Sequence, residues 1–208
     1  MPARQLARRH LWRLAAGMVA LGAGGAALAQ APQPVRIRGT IDAANANSVS
    51  LTTRAGDKQT VGLTPDTVVS ALVPIKLEDI KPGCFIGAAA MPQADGTQRA
   101  LEVHVFPESM RGTGEGHRPF DLQPQSTMTN GTVGAVAGTV GRTLTVSYQG
   151  GEKTIVVPPD TPVVTFEPGS PALLVPAAHV IVFGTQGPDA KVTATRILVG
   201  KNGLVPPM

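Results

Sequence analysis

The residues of this chain that could do chemistry crowd into one stretch. Between Pro107 and Asn130 stand Met110, Arg111, Glu115, His117, Arg118, Asp121 and Met128, set among Gly112, Gly114 and Gly116. Arginines, carboxylates and an imidazole on a glycine-rich segment suit a polar or anionic ligand, so Arg111, Glu115, His117, Arg118 and Asp121 form the candidate ligand-binding set. The same charges could instead pair with neighbouring domains and dock the segment as a crossover. A metal is the second chemistry: Met110, His117 and Met128 supply two thioethers and an imidazole, ligands suited to copper, Cu(I) above all, with zinc the other candidate cofactor. No His-x-His, Cys-x-x-Cys or Met-x-x-Met spacing reinforces it. Catalysis is the third. Glu115, His117 and Asp121 could act as base, shuttle and orienter, but there is no Gly-x-Ser-x-Gly elbow, no His-Glu-x-x-His and no nucleophile beside them, so no enzyme is expected. The Gly112-x-Gly114-x-Gly116 spacing is not a phosphate loop, because Pro119 and Pro124 oppose the helix such a loop must open.

Other candidate groups read as structural. His104 is expected to point outward beside Glu102, on a strand whose Leu101, Val103 and Val105 face inward, and His179 sits at the entry of the apolar run Val180 to Phe183. Cys84, the single cysteine, lies in the apolar run Cys84 to Ala88 and is expected to be a small buried core residue.

The elements that must position these groups follow an N-terminal export signal. Arg4, Arg8, Arg9 and Arg13 precede an apolar run from Leu14 to Leu28, and Ala27-Leu28-Ala29 gives a small-residue cleavage site near Ala29. The order Ala7-Arg8-Arg9-His10-Leu11-Trp12-Arg13 resembles a twin-arginine motif, leaving the general secretory and twin-arginine routes both open. The expected location is therefore periplasmic or secreted, with no transmembrane segment in the mature chain. Removing the signal also removes four arginines from the 18 basic residues, against 14 acidic ones, so the basic excess vanishes. With it goes the argument for nucleic acid, and the only tryptophan, Trp12, goes too.

An internal repeat organises the rest. At a constant shift of 94 residues, Gly56 falls on Gly150, Thr60 on Thr154, Pro65-Asp66-Thr67 on Pro159-Asp160-Thr161, Pro82 on Pro176, Asp95 on Asp189 and Val105 on Val199. Within each copy, apolar and polar residues alternate in short runs broken by turn residues, as at Val35, Ile37 and Ile41, then Val49 and Leu51, then the Ala55-Gly56-Asp57 turn. The fold class expected is all-β: two tandem small β-barrel units like the oligonucleotide/oligosaccharide-binding fold, packed into one body. The boundaries are a signal peptide at 1–29, barrel repeats at 30–106 and 131–200, an inter-repeat loop without regular structure at 107–130, and a tail at 201–208.

The Ser48-Val49-Ser50-Leu51 strand, Leu63-Thr64-Pro65-Asp66-Thr67, Asp79-Ile80-Lys81-Pro82-Gly83, Asp95-Gly96-Thr97 and Leu101-Glu102-Val103-His104-Val105 together resemble an uncharacterised family of exported bacterial small β-barrel domains, here in tandem. The resemblance covers the first copy well and the second through its hairpin and Pro-Asp-Thr. It implies the barrel fold but no activity. Longer relatives sometimes carry a metal-transporter permease label, and this chain lacks the spans a permease needs.

The functional expectation is an exported, non-enzymatic binding or interaction protein whose partner is a protein or small ligand of the cell envelope. The alternatives are a periplasmic copper- or zinc-binding accessory of metal transport, and an unrecognised hydrolase.

Overall fold

Alternation of apolar and polar residues places the two kinds on opposite faces of a pleated strand, and the turn residues between runs reverse the chain. The computed structural model describes residues 31–137 and 142–208. The expected signal and its cleavage site lie outside them. The strands are β1 (Gln33–Ala44), β2 (Ser48–Thr53), β3 (Lys58–Gly62), β4 (Val68–Pro74), β5 (Phe85–Pro92), β6 (Gln98–Val105), β7 (Gly116–Pro119), β8 (Thr127–Ala137), β9 (Thr143–Tyr148), β10 (Gly151–Val156), β11 (Val163–Pro168), β12 (His179–Gln186) and β13 (Val192–Gly200). Among the described residues the only helical pieces are three-residue 3-10 turns, one of them at Leu77–Asp79, and no helix is long and apolar enough to cross a membrane. The protein is all-β.

The strands close into two five-membered rings. In the first, β1, β2 and β3 form a meander, β12 pairs with β1, β13 with β12, and β3 meets β13 in parallel through Val61–Val192 and Gly62–Thr193. In the second, β8, β9 and β10 pair with β5 and β6, closed by Ile155–Gln98 and Val156–Arg99. Each ring thus takes its meander from one copy of the repeat and its closing hairpin from the other. The tandem expectation of one barrel per copy is corrected here. The cause is β4, which runs on past β3 along β13 and then pairs antiparallel with β11. The chain has left its first ring before it reaches β5 and β6, so these strands complete the second.

Three apolar clusters follow this connectivity. Ile41, Val49, Leu51, Val61, Val182 and Ile197 fill the first ring, and Ile86, Ala88, Val103, Leu144, Val146 and Ile155 fill the second. The third cluster, Leu72, Phe85, Phe106, Val164, Phe166, Ile181, Leu198 and Met208, draws on strands of both rings, on β4 and β11, and on Phe106 and Met208 outside the strands. Full burial of a side chain such as Leu72 contributes about 2 kcal/mol, so this third cluster fixes the rings to each other. Cys84 is half-buried against the second cluster and not in its interior.

The segment after Phe106 also differs from expectation, because it carries a strand. Gly112 and Gly114 adopt φ of 83° and 55°, values open to glycine at little cost, and they turn the chain back so that β7 pairs with β8. β8 itself begins at Thr127, inside the stretch expected to be loop; its first half holds β7 and β5, its second half β9.

Candidate functional site

β6 is paired on both edges, with β5 on one side and with β10 and β11 on the other. It is also covered on both faces. Val103 enters the second ring, while Glu102 and His104 face the joint between the rings, at 0% and 4% exposure. The outward orientation expected for His104 is therefore corrected: an apolar/polar alternation marks two faces, but a central strand has no solvent face.

A carboxylate buried this deeply needs donors. Glu102 accepts from the Ala89 N–H at 3.0 Å, and both its oxygens lie 3.1 to 3.2 Å from Nδ1 of His104. Since a carboxylate only accepts, Nδ1 carries the hydrogen and the ring turns its Nε2 edge away from Glu102. That edge lies over Gly87, where a Cβ would collide with the imidazole and also meet Asn130 Oδ1. Phe106 and Phe166 fix the ring edge-on, at centroid distances of 4.8 and 5.7 Å.

Asn130, on β8, completes the group. Its Nδ2 donates to the Thr113 carbonyl at 2.9 Å, which sets the direction of the carboxamide. Oδ1 then points to the Gly87–His104 side, and among the described residues it is the one buried side-chain nitrogen or oxygen without a hydrogen-bond partner.

His104 and Asn130 line a cavity of about 240 Å³ between the rings. Phe106 and Phe166, stacked at 5.3 Å, form an aromatic wall, and three arginines surround the rest. Arg36 lies 4.7 and 5.2 Å from the ring centroids of Phe120 and Phe183, and Arg196 lies 4.8 Å from Phe183. Arg118 reaches in from β7 and donates to the Gly114 carbonyl. Burial, followed by the charge of Arg36, pushes the pKa of both Arg118 and Arg196 below the usual arginine value. Neither forms an ion pair within the described residues, whereas Arg36 shares Asp121 with Arg38. A larger hollow of about 440 Å³, beside Leu63, Thr64 and Pro65, has no charged group on its walls and offers no comparable chemistry.

Of the five residues proposed from sequence for ligand binding, only Arg118 lines this cavity. The other four hold the folded-back segment in place. Arg111 pairs with Glu108 and donates to the Gly83 carbonyl, Glu115 accepts from the Gln149 N–H, and Asp121 bridges Arg36 and Arg38. His117 shares a hydrogen bond with Thr129 Oγ1 at 2.8 Å and stacks over Tyr148; burial, then Lys153, lowers its pKa.

The proposed metal set is divided. His117 opposes Thr129 and Arg118 opposes Met128, and since neighbours along a strand face opposite ways, His117 and Met128 lie on opposite faces of the β7–β8 ribbon. Met110 packs against the central apolar cluster. No group of three or more His, Cys, Asp or Glu side chains placed to hold a metal ion occurs among the described residues.

Sequence reasoning missed Arg36, His104, Asn130 and Arg196. The signal for one part was present: Glu102, His104 and Phe106 occupy alternate positions of a strand whose other face is apolar. The contribution of Arg36 and Arg196 depends on the strand exchange and had no local mark.

The fold and cavity define an all-β, two-ring protein with a buried histidine–carboxylate pair and three arginines around an aromatic pocket. No family model, curated protein or solved structure matches the chain.

Proposed function

We propose that this is an exported, non-enzymatic binding protein and that its ligand is a small organic anion held in the pocket between the rings. The observation that carries this reading is the charge balance. Arg196 is drawn partly out of water and Arg118 stands at the exposed rim, neither with a carboxylate partner among the described residues, and Arg36 adds a third positive charge already half-committed to Asp121. Guanidinium groups in that state gain two ways from an anion, by pairing and by bidentate hydrogen bonds of about 1.5–3 kcal/mol each. The aromatic wall suits an apolar body attached to the anionic group.

The test is isothermal titration of the protein lacking residues 1–29 with benzoate and hexanoate, and with benzamide as the uncharged control. Binding of a carboxylate but not of the amide, weakened at least about 10-fold in Arg196→Gln with an unchanged β-type circular dichroism spectrum, is the expected result. Failure of every carboxylate to bind refutes the reading.

A further inference from the structure

We propose that Asn130, together with the His104 edge held by Glu102, forms the end of the pocket that selects the ligand, and that it selects a neutral hydroxyl group: the ligand is a hydroxy-carboxylate. This rests on the organic-anion reading above and adds to it the identity of the second functional group.

The argument begins with an atom. Asn130 is 4% exposed, its Oδ1 has no donor, and its orientation is not free, because Nδ2 is committed to the Thr113 carbonyl. A buried acceptor left in that state is costly, and a donor that reaches it recovers the loss. The neighbouring group is the Nε2 edge of His104, which lies on the same side of Gly87 with its Nδ1 held by Glu102. Glycine at position 87 is what leaves room there. Its counterpart under the 94-residue shift is Ile181, and the counterpart of His104 is Leu198, so the other half of the molecule fills the equivalent place with hydrocarbon.

The unpartnered Oδ1 asks for a donor, and a hydroxyl can pair with the Nε2 edge beside it as donor or acceptor. An ammonium group would supply the donor, but it would share the pocket with Arg36, Arg118 and Arg196, whose charges oppose it. A hydroxyl group donates without adding charge. The arginines then take the carboxylate, and Phe106 and Phe166 line the same pocket. A site built to pair a hydroxyl discriminates against the analogue lacking it far better than an apolar pocket discriminates by size.

The experiment compares, on the protein lacking residues 1–29, benzoate with its three monohydroxy derivatives and hexanoate with 6-hydroxyhexanoate. At least one hydroxylated acid is expected to bind about 10-fold tighter than its parent or better. That advantage is expected to vanish in Asn130→Ala, so that the hydroxylated acid and its parent bind the variant with equal affinity. If the parents bind and no hydroxylated acid binds tighter, the hydroxyl selection is wrong and the anion reading survives. If no acid of either kind binds, both fail. Should Asn130→Ala not fold, the wild-type comparison alone decides between these results.

Discussion

Leu72 on β4 and Phe166 on β11 oppose each other in the antiparallel pair at the centre of the molecule, and each is the other's counterpart under the 94-residue shift of the repeat. The local two-fold axis that relates the two halves therefore passes between these two side chains. Around it the backbone is duplicated and the chemistry is not. Glu102 and His104 on β6, with Phe106 just past its end, correspond to Arg196, Leu198 and Gly200 on β13. One half brings an imidazole to the cavity, backed by a buried acid, and the other brings a guanidinium.

Strand exchange predicts that neither copy folds alone. Residues 31–106 contain the meander of the first ring and the closing hairpin of the second, and so complete neither. As a separate polypeptide this piece is expected to be unfolded as a monomer, or to dimerise with each chain closing the other's meander. Light scattering combined with urea denaturation distinguishes these; a cooperatively folding monomer would contradict the exchanged topology.

The space over Gly87 predicts a penalty for any side chain there. Gly87→Ala sets a methyl group against the His104 ring and Asn130 Oδ1, and overpacking of this kind costs about 1–3 kcal/mol. Chemical denaturation should show that loss together with weaker binding in the pocket. Unchanged stability would mean that the imidazole is not held over the glycine.

Removing one member of the Glu102–His104 pair strands the other. His104→Ala leaves a fully buried carboxyl group with the Ala89 N–H as its remaining donor, and the expected cost of losing the other hydrogen bond is about 1–3 kcal/mol. Glu102→Gln in the same background should recover part of it, because the charge has gone. A double-mutant cycle in urea measures the coupling, and strict additivity would show that the two side chains do not act as a pair.

Asp121 predicts a small pH dependence with a definite sign. The hydrogen bond from Arg38 holds its carboxyl below the ordinary aspartate range against the opposing effect of burial, and the charges of Arg36 and Arg38 add to it. A folded-state pKa below the unfolded value of about 3.9 gives stability that is present above that value and lost as the pH falls through the lower, folded one. The side chain is 53% exposed, so Asp121→Asn should cost only about 0.5 kcal/mol at pH 6. The difference from wild type should close below pH ~3. A gap that persisted at low pH would place the effect in packing and not in charge.

Much of the fold was legible in the chain itself. Alternation of Val35, Ile37 and Ile41 with arginines and threonine, the Gly56 and Gly150 turns and the constant shift of the repeat determined an all-β molecule with two equivalent halves, because strand periodicity and turn chemistry are local properties. The segment from Pro107 to Asn130 was also marked as unusual, and of its five residues proposed for ligand binding one, Arg118, does line the cavity. Its remaining charges dock it, and sequence cannot tell a docking charge from a binding one, since the two differ only in what stands opposite.

Which hairpin closes which ring was decided by tertiary structure alone. Both copies carry the same pairing pattern, so Val61 would find an equivalent strand edge on β6 or on β13, and nothing within a copy distinguishes them. The antiparallel contact of β4 with β11, an interaction between segments some ninety residues apart, makes the choice. The same choice brings Arg36 and Arg196 to His104 and Asn130, and a site assembled from both halves exists only once that contact has formed.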